Sequence, residues 1–399
     1  MIFARVALPF LAGYYVSYLY RMVNAVLAPT LAAEFGLSAG GLGLLSSMYF
    51  LSFALFQLPL GLLLDRFGPR RVNATLLLIA AAGGAWFALA DSAAGAIAAR
   101  ALIGLGVSAC LMASLTAFVL WYPPERISTM NGIAFAAGAV GAMTATVPLE
   151  LLLRVWGWRE VFLLLVAATV AVSLVLWLWV PERGARRRVE PLPQQLRGLA
   201  ILLRDPAFIR LGVCLGLSQS AAVSLQTLWI APWLRDVAGY SQAEVARGLL
   251  AVNVAMLMGY LGFGRAADAW LRQGRSPFGL LVSGVALSAL SLGLVVLGMH
   301  SLLLWCLFVA AGTAVVLSYS ILSRRYPMEM AGRANTAINV VGFAGMFTGQ
   351  WGIGLVLDRW PQSAAGYAPE AYPWALGAVW AAQLAGLAWL WAGRRLFAS

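Results

Sequence analysis

The sequence has little charge and no lysine. Charged residues make up 11% of its 399 residues and hydrophobic residues 62%, with a mean hydropathy of +0.85. A soluble globular domain is closer to about half apolar and about a quarter charged. The composition therefore excludes an ordinary soluble domain and favours an integral membrane protein. Because arginine supplies all 27 of the Lys and Arg residues, its abundance alone does not indicate phosphate binding.

Cysteine and histidine are also scarce. The three cysteines lie inside predicted helices without paired spacing, so neither a disulfide framework nor a metal site is indicated. The one histidine, His300, lies at a predicted outer turn, where a structural role is favoured over a proton-carrying one. The sequence also lacks a nucleophile elbow, a nucleotide-binding loop and a cluster of metal ligands. We therefore predict no enzyme activity, no metal site and no cofactor.

Long apolar runs are what the sequence has instead. A helix needs about 20 apolar residues to cross a hydrocarbon core of ~30 Å, and no run alternates as the strands of a membrane barrel would. The first run is too long for a signal peptide and shows no cleavage-like site, so we expect it to remain as a span. We predict twelve transmembrane helices at roughly 7–30, 40–64, 71–90, 95–121, 128–153, 159–181, 209–234, 243–267, 277–298, 301–322, 333–357 and 373–393.

The formal net charge of +12 follows the predicted topology. With the N-terminus inside, 20 arginines lie on the cytoplasmic side, five outside and two, Arg21 and Arg100, within spans. This bias predicts cytoplasmic N- and C-termini in a bacterial-type inner membrane. The most basic segment, a predicted cytoplasmic linker at 182–208, is expected to contact lipid headgroups, and no nucleic-acid partner is predicted.

The chain repeats itself at about half its length. Tyr122, Pro123, Glu125 and Asn131 recur 204 positions later as Tyr326, Pro327, Glu329 and Asn335. GLLLD at 61–65 returns as GRAAD at 264–268, displaced by 203. The agreement predicts two six-helix bundles, 1–181 and 209–399, joined by the linker. Parallel repeats of this kind are typical of transporters that bind their substrate at the midplane between the halves.

The stretch GLLLDRFGPRR, residues 61–71, lies between the second and third predicted spans. Gly61 would let two helices approach closely, and Gly68 permits a sharp turn. Asp65 can pair with an arginine or cap a neighbouring helix. Three arginines, Arg66, Arg70 and Arg71, are expected to hold the turn at the inner surface. A static salt-bridged loop is the alternative interpretation.

This stretch resembles the signature loop of the major facilitator superfamily, because its glycines, aspartate and arginines fall at the family's spacing. A weaker copy lies at Gly264 and Asp268. RALIGLGVSA at 100–109 resembles the family's fourth-helix pattern, and GWREVF at 157–162 resembles the usual start of the sixth helix. The resemblance covers the whole chain.

The resemblance implies an all-helical membrane fold of twelve helices in two pseudo-symmetric bundles. It also implies that Asp65 and its arginines form a latch that locks the halves when the cytoplasmic side is closed. Arg100 would be a buried arginine coupled to conformational change. The alternative for Arg100 is a side chain that extends to the membrane interface.

The first predicted span carries a polar stripe. At 3.6 residues per turn its polar positions lie on one face, which we expect to face a wet interior rather than lipid. Arg21 lies well inside the bilayer by its distance from the start of the helix. The stripe consists of Tyr14, Ser17, Tyr18, Arg21, Asn24 and Ala28.

Two interpretations of Arg21 remain open. It is either structural, paired with a carbonyl or a carboxylate, or it binds an anionic substrate through its planar guanidinium. Acidic residues within the predicted spans are almost absent. Glu150 is the one plausible carboxylate and the one candidate for proton coupling, but Arg154 lies one helical turn away. We favour the substrate role.

The first span also resembles that of the organophosphate and organic-anion branch of the superfamily, where an arginine after a tyrosine-rich turn binds the anion. Only Arg21 corresponds by position. The phosphate transporters of that branch have a second arginine on helix seven, where this chain has Gln219, Gln226 and Trp229. One guanidinium with neutral amides better suits a carboxylate or a zwitterion than a phosphate dianion. Depth in the bilayer adds Tyr49, Asn253, Asn339 and Gln350 as cavity candidates, each with an interhelical hydrogen bond as the alternative.

These patterns predict a monomeric secondary transporter that moves a small organic anion or zwitterion by alternating access. Its partners would be the lipid bilayer and either protons or a counter-transported anion. One alternative is a drug efflux antiporter, although the fifth span, GIAFAAGAVGAMTATVP, lacks the Gly-Pro pair usual in such proteins. The other alternative is a non-transporting solute receptor of the same fold.

Overall fold

The computed structural model describes residues 2–183, 200–361 and 366–397, which are mostly helical. Shorter π turns lie at Phe3–Ala7 and Leu225–Trp229. The α-helices are α1 Leu8–Phe35, α2 Ala39–Ala88, α3 Ala93–Val107, α4 Cys110–Trp121, α5 Pro124–Thr144, α6 Val147–Leu153, α7 Trp158–Trp179, α8 Pro206–Ser224, α9 Ile230–Asp236, α10 Gln242–Arg272, α11 Phe278–Val296, α12 Leu302–Gly312, α13 Leu317–Arg325, α14 Met328–Leu357 and α15 Tyr372–Ala392.

Twelve helical segments match the twelve predicted spans. Eleven segments in the described part of the chain are long and apolar enough to cross a membrane, and each overlaps one of the predicted spans from the second to the twelfth. The first predicted span corresponds to the 28-residue helix α1, which carries the polar stripe. The predicted all-helical membrane fold is therefore confirmed.

Glycines with positive φ separate several of the helices. α2 is two helices that meet at Gly68, whose backbone has φ 79° and ψ 161°. α1 ends at Gly36 with φ 60°. Residues with a Cβ atom rarely adopt these backbone angles, whereas glycine does so at little cost in free energy. The sharp turn predicted at Gly68 is therefore present.

By their contacts the residues form two compact units, Met1–Leu37 with Leu44–Val189 and Ser38–Gly43 with Glu190–Ser399. The predicted linker, 182–208, lies mostly outside the described residues, so the predicted domain boundaries stay a prediction. A further match supports the sequence repeat, since Ala28-Pro29 recurs as Ala231-Pro232 with a displacement of 203.

Each unit contains a helix pair packed closely through glycine. In the first unit, α1 packs against α5, and a Cβ built on Gly141 would lie 2.5 Å from the Tyr15 carbonyl oxygen. In the second unit, α8 packs against α14, where a Cβ on Gly345 would collide with the backbone of Gly216. Only glycine lets two helix backbones approach this closely.

The three cysteines are free. Cys110 and Cys214 are buried, with at most 1% of their surface exposed, and Cys306 is partly buried. Cys110 and Cys214 thus pack as small apolar residues.

Candidate substrate-binding site

Arg21 lies midway along α1, and aromatic rings surround its guanidinium. Its Cζ lies 4.6 Å from the centroid of Tyr18, and 5.8 Å from those of Tyr49 and Phe53. These contacts are cation–π interactions, which gain strength where water is excluded. Arg21 as a whole is only partly buried, although its Nε is fully buried.

The rest of the polar stripe is buried inside the first unit. Tyr14 is 4% exposed, and its ring packs edge-on against Tyr18 at 5.2 Å between centroids. Ser17 lies within hydrogen-bonding distance, 3.3 Å, of the Tyr49 hydroxyl. Asn24 donates from Nδ2 to Ser46 Oγ at 2.9 Å. Asn24 therefore makes a hydrogen bond from α1 to α2.

Arg100 is the second arginine within a span and is almost fully buried, with 1% of its surface exposed. Its Nη1 donates to the Tyr20 carbonyl at 2.9 Å. Its Cζ lies 5.4 Å from the Tyr49 centroid and 5.9 Å from that of Phe87. Tyr49 therefore contacts both arginines. The side chain of Arg100 stays in the interior and does not extend to the membrane interface.

Two glycines of α5 hold the tyrosines of α1 in place, and the sequence analysis did not assign them this role. A Cβ on Gly138 would lie 2.8 Å from ring atoms of Tyr14 and Tyr18, and one on Gly141 would lie 3.1 Å from the Tyr18 Cβ. Their spacing of three residues places both on one face of the helix. That spacing was the signal in the sequence.

A neutral polar cluster lies in the second unit, where the π turn Leu225–Trp229 interrupts the helix. Gln226 Nε2 donates to Asn253 Oδ1 at 2.8 Å and contacts the Met256 sulfur at 3.0 Å. Asn253 is fully buried. π turns inside helices are frequently found at functional sites. The structure therefore brings together Gln226 and Asn253, which sequence reasoning had named separately.

The other predicted residues of the second unit form bonds of their own. Trp229 is fully buried, and its indole N–H donates to the backbone carbonyl of Gln350 at 2.9 Å. Asn339 Oδ1 accepts from the Tyr319 hydroxyl at 2.9 Å. Gln219 is partly buried beside Gly342. Trp229 and Asn339 are thus engaged in interhelical hydrogen bonds.

The loop of the 61–71 stretch is anchored by its last two arginines. Arg71 forms an ion pair with Glu182 at 2.7 Å, and Arg70 donates to the Trp177 carbonyl at 2.5 Å. Arg66 stacks on the ring of Phe67. The sequence analysis did not identify Glu182 as a partner, because 111 residues separate it from Arg71.

The glycines of this motif and its copy do not bring helices together here. A Cβ built on Gly61 or on Gly264 would meet no atom within 4 Å. The close helix approach expected at Gly61 is therefore not present in this structure. Asp65 and Asp268 are both exposed. The chain continues helically through Gly264 and Asp268, and a positive φ follows only at Gly274.

Two ion pairs lie near predicted residues. Glu150 binds Arg154 at 2.8 Å, as their spacing of four residues suggested. In GWREVF, Trp158 donates from Nε1 to Glu34 at 2.5 Å, and Arg159 also bonds Glu34. The GWREVF segment therefore anchors the end of α1 rather than contributing a ligand contact.

Comparison with known proteins agrees with this architecture. The family model described as Major Facilitator Superfamily matches residues 10–350. A solved bacterial homologue of the human lysosomal transporter Spinster has a TM-score of 0.79 at 18% identity, covering 99% of this chain and 97% of its own. A D-xylose–proton symporter has a TM-score of 0.75, also at 18% identity, covering 97% of each chain.

Similar curated proteins are transporters. The nitrite extrusion protein of Bacillus subtilis is 24% identical over 80% of this chain and 82% of its own. The probable sulfoacetate transporter SauU of Cupriavidus necator is 27% identical over 45% of this chain. The chain spans only 43% of that relative's length. With the family model matching most of its length and the superfamily's fold throughout, the chain belongs to the major facilitator superfamily of membrane transporters.

Proposed function

We propose that this transporter moves a small organic anion or a zwitterion, and that Arg21 binds the negatively charged group. The observation that carries the proposal is the contrast between Arg21 and Arg100, the two arginines that the predicted topology places deep within spans. Arg100 is 1% exposed, whereas Arg21, midway along α1, is only partly buried. A guanidinium keeps its charge at every physiological pH and presents two parallel donors to a carboxylate or sulfonate.

The rings around Arg21 support this role. Tyr18, Tyr49 and Phe53 lie within 5.8 Å of the guanidinium and restrict its movement, which lowers the entropic cost of binding an oxyanion. The tyrosine hydroxyls add hydrogen-bond donors nearby. Two relatives, a probable sulfoacetate transporter and a nitrite extrusion protein, are named for anions, and a third, of Acinetobacter baumannii, is named for quinolone resistance. Because a guanidinium midway along α1 suits an anion, we favour a small anion over a hydrophobic drug as the substrate class.

The experiment is a ligand screen by thermal shift on the purified protein, using carboxylates, sulfonates, nitrite, amino acids, sugar phosphates and quinolones. A ligand that binds only the folded state raises the melting temperature. We expect small carboxylates or sulfonates to give the largest shift, and Arg21→Gln to abolish it without lowering the melting temperature of the ligand-free protein. Arg247→Gln, an exposed arginine of the second unit, is the matched control.

Two results would reject the assignment. One is a shift confined to quinolones, which would indicate efflux of hydrophobic compounds. The other is an Arg21→Gln protein that melts at a lower temperature but keeps the full ligand shift, which would make Arg21 structural. Gln226 and Asn253 would then be the first residues to test.

We also propose that the 61–71 loop acts in gating, through Asp65. Arg70 bonds the last turn of α7 and Arg71 bonds Glu182 just after it, so Asp65 lies on an anchored loop. Asp65→Asn should reduce transport in proteoliposomes several-fold, with insertion and melting temperature unchanged. Transport at the wild-type rate would refute the gating role.

A further inference from the structure

The second unit has a carboxylate at the end where α8 begins. Asp205 caps α8 by accepting from the Ala207 N–H at 2.8 Å. It also accepts from Arg325 Nε at 3.0 Å and from the Tyr326 hydroxyl at 2.5 Å. The tyrosine hydroxyl at this end therefore has an ionised partner within its own chain.

The first unit has no carboxylate at the position equivalent to Asp205. The displacement of 203 places Ile2 at the position equivalent to Asp205, and the displacement of 204 makes Tyr122 the equivalent of Tyr326. The Tyr122 hydroxyl is buried and has no hydrogen-bond partner among the residues that the structure describes. A buried hydroxyl without a partner costs free energy, so a partner from outside the chain would be stabilising.

A cavity of about 730 Å³ lies at this position. Its wall is mostly apolar, with Phe3 and Trp121 among its residues, and its polar side chains include Tyr122, Arg126 and Thr129. The volume is sufficient for a headgroup and the start of an acyl chain. The mixture of an apolar wall with one cation suits an anionic amphiphile better than a free ion.

The depth of the cavity points to lipid. It lies where the membrane-spanning segment Ala93–Trp121 ends and the segment Thr129–Leu153 begins, which is the level of the headgroups. Tryptophan is enriched at this level. A further arginine, Arg183, packs over the Trp121 ring at 4.8 Å. Basic pockets between helices on the cytoplasmic side commonly bind anionic headgroups.

We propose that this cavity binds the phosphodiester headgroup of an anionic phospholipid, with Arg126 and the Tyr122 hydroxyl as its polar contacts. The lipid supplies to the first unit the negative group that Asp205 supplies to the second. Burial raises the pKa of Tyr122, and the charge of Arg126 only partly offsets this increase. The hydroxyl therefore keeps its proton at neutral pH and can donate a hydrogen bond to a phosphate oxygen.

The test compares melting temperatures in nanodiscs of phosphatidylcholine with and without phosphatidylglycerol. We expect phosphatidylglycerol to raise the melting temperature of the wild type by several degrees. Arg126→Gln should lose most of that increase and Tyr122→Phe part of it. Arg275→Gln, an exposed arginine of the second unit, should retain it.

The Ile2→Asp variant is the most informative test. It places a carboxylate in the first unit at the position equivalent to Asp205 of the second. This variant should be at least as stable as the wild type in phosphatidylcholine and should no longer respond to phosphatidylglycerol. The proposal is overturned if Arg126→Gln and Ile2→Asp both keep the full response, which would indicate attraction to the basic surface as a whole. It is also overturned if millimolar inorganic phosphate in detergent reproduces the shift, which would indicate a free-anion site.

Discussion

The helix α1 and its repeat mate, the segment Pro206–Asp236, share an Ala-Pro pair but differ in what they carry at mid-helix. With a displacement of 203, the position of Arg21 corresponds to Ser224, whose hydroxyl donates to the Met346 carbonyl at 3.0 Å. The first helix holds a cation among aromatic rings, and the second holds a π turn with an amide pair. The two helices share the Ala-Pro pair, whereas Arg21 of the first is replaced by Ser224 at the equivalent position of the second.

The largest effect is expected where both units share a feature, the glycine-mediated helix pair. Gly345→Val would force a branched side chain into the backbone of Gly216, so α14 would have to move away from α8. Overpacking of this kind costs about 1–3 kcal/mol and more against rigid backbone. We expect a large fall in melting temperature and in the yield of monodisperse protein. Gly352→Val, at a position on the same helix with no atom within 4 Å, is the control.

The next largest effect is expected at Arg21, whose equivalent in the second unit is the uncharged Ser224. Arg21→Lys keeps the charge but loses the planar pair of donors, so anion affinity should fall by about 10- to 100-fold, which corresponds to roughly 1.5–3 kcal/mol. Isothermal titration with the ligand identified by the screen measures this loss. Equal affinity of the two proteins would show that a point charge is sufficient and that the rings do not orient the guanidinium.

The neutral cluster of the second unit should show the converse behaviour. Gln226→Leu leaves the buried Asn253 oxygen without the amide that donates to it, which costs about 1–3 kcal/mol of stability. We expect a lower melting temperature with anion affinity changed less than threefold. A loss of affinity greater than that of Arg21→Lys would instead place charge-independent recognition in the second unit.

The smallest effect is expected at acidic pH, in the Asp205 cluster. Burial opposes ionisation of Asp205, but the bonds from Arg325, Tyr326 and the Ala207 N–H outweigh it and hold the pKa below the usual 3.8. A lowered pKa in the folded state adds stability above pH 3.8 that is lost as the pH falls toward the folded value. Asp205→Asn should therefore be less stable than wild type at neutral pH, with the difference shrinking below pH 4. Melting curves from pH 3 to pH 7 would test this, and a constant difference would contradict it.

Much of the fold followed from the sequence because its signals are local. Apolar runs of membrane-spanning length predicted the helices. The glycine between two arginine-bearing segments predicted the turn found at Gly68. The polar stripe of α1 was predictable from its periodicity, and its tyrosines do pack on one another. The displacement of 203–204 residues revealed the repeat without any structure.

The site was less predictable because its contacts join distant residues. Periodicity placed Tyr18 near Arg21, but only packing between helices shows that Tyr49 contacts both Arg21 and Arg100. The Gln226–Asn253 bond likewise depends on how two helices meet. The close helix approach expected at Gly61 is not present in this structure. A glycine in the sequence allows two helices to approach closely but does not show that they do so.

The burial of the cysteines has a practical consequence for spectroscopy. With Cys110 and Cys214 inside helix interfaces and only Cys306 partly reachable, the natural chain offers almost no background to maleimide or spin-label reagents. Because the chain has no lysine, amine-reactive dyes find no side chain to label. The single replacement Cys306→Ser would give a protein without a reachable native cysteine. Two introduced cysteines could then be labelled to measure distances during a transport cycle by electron paramagnetic resonance or by Förster resonance energy transfer.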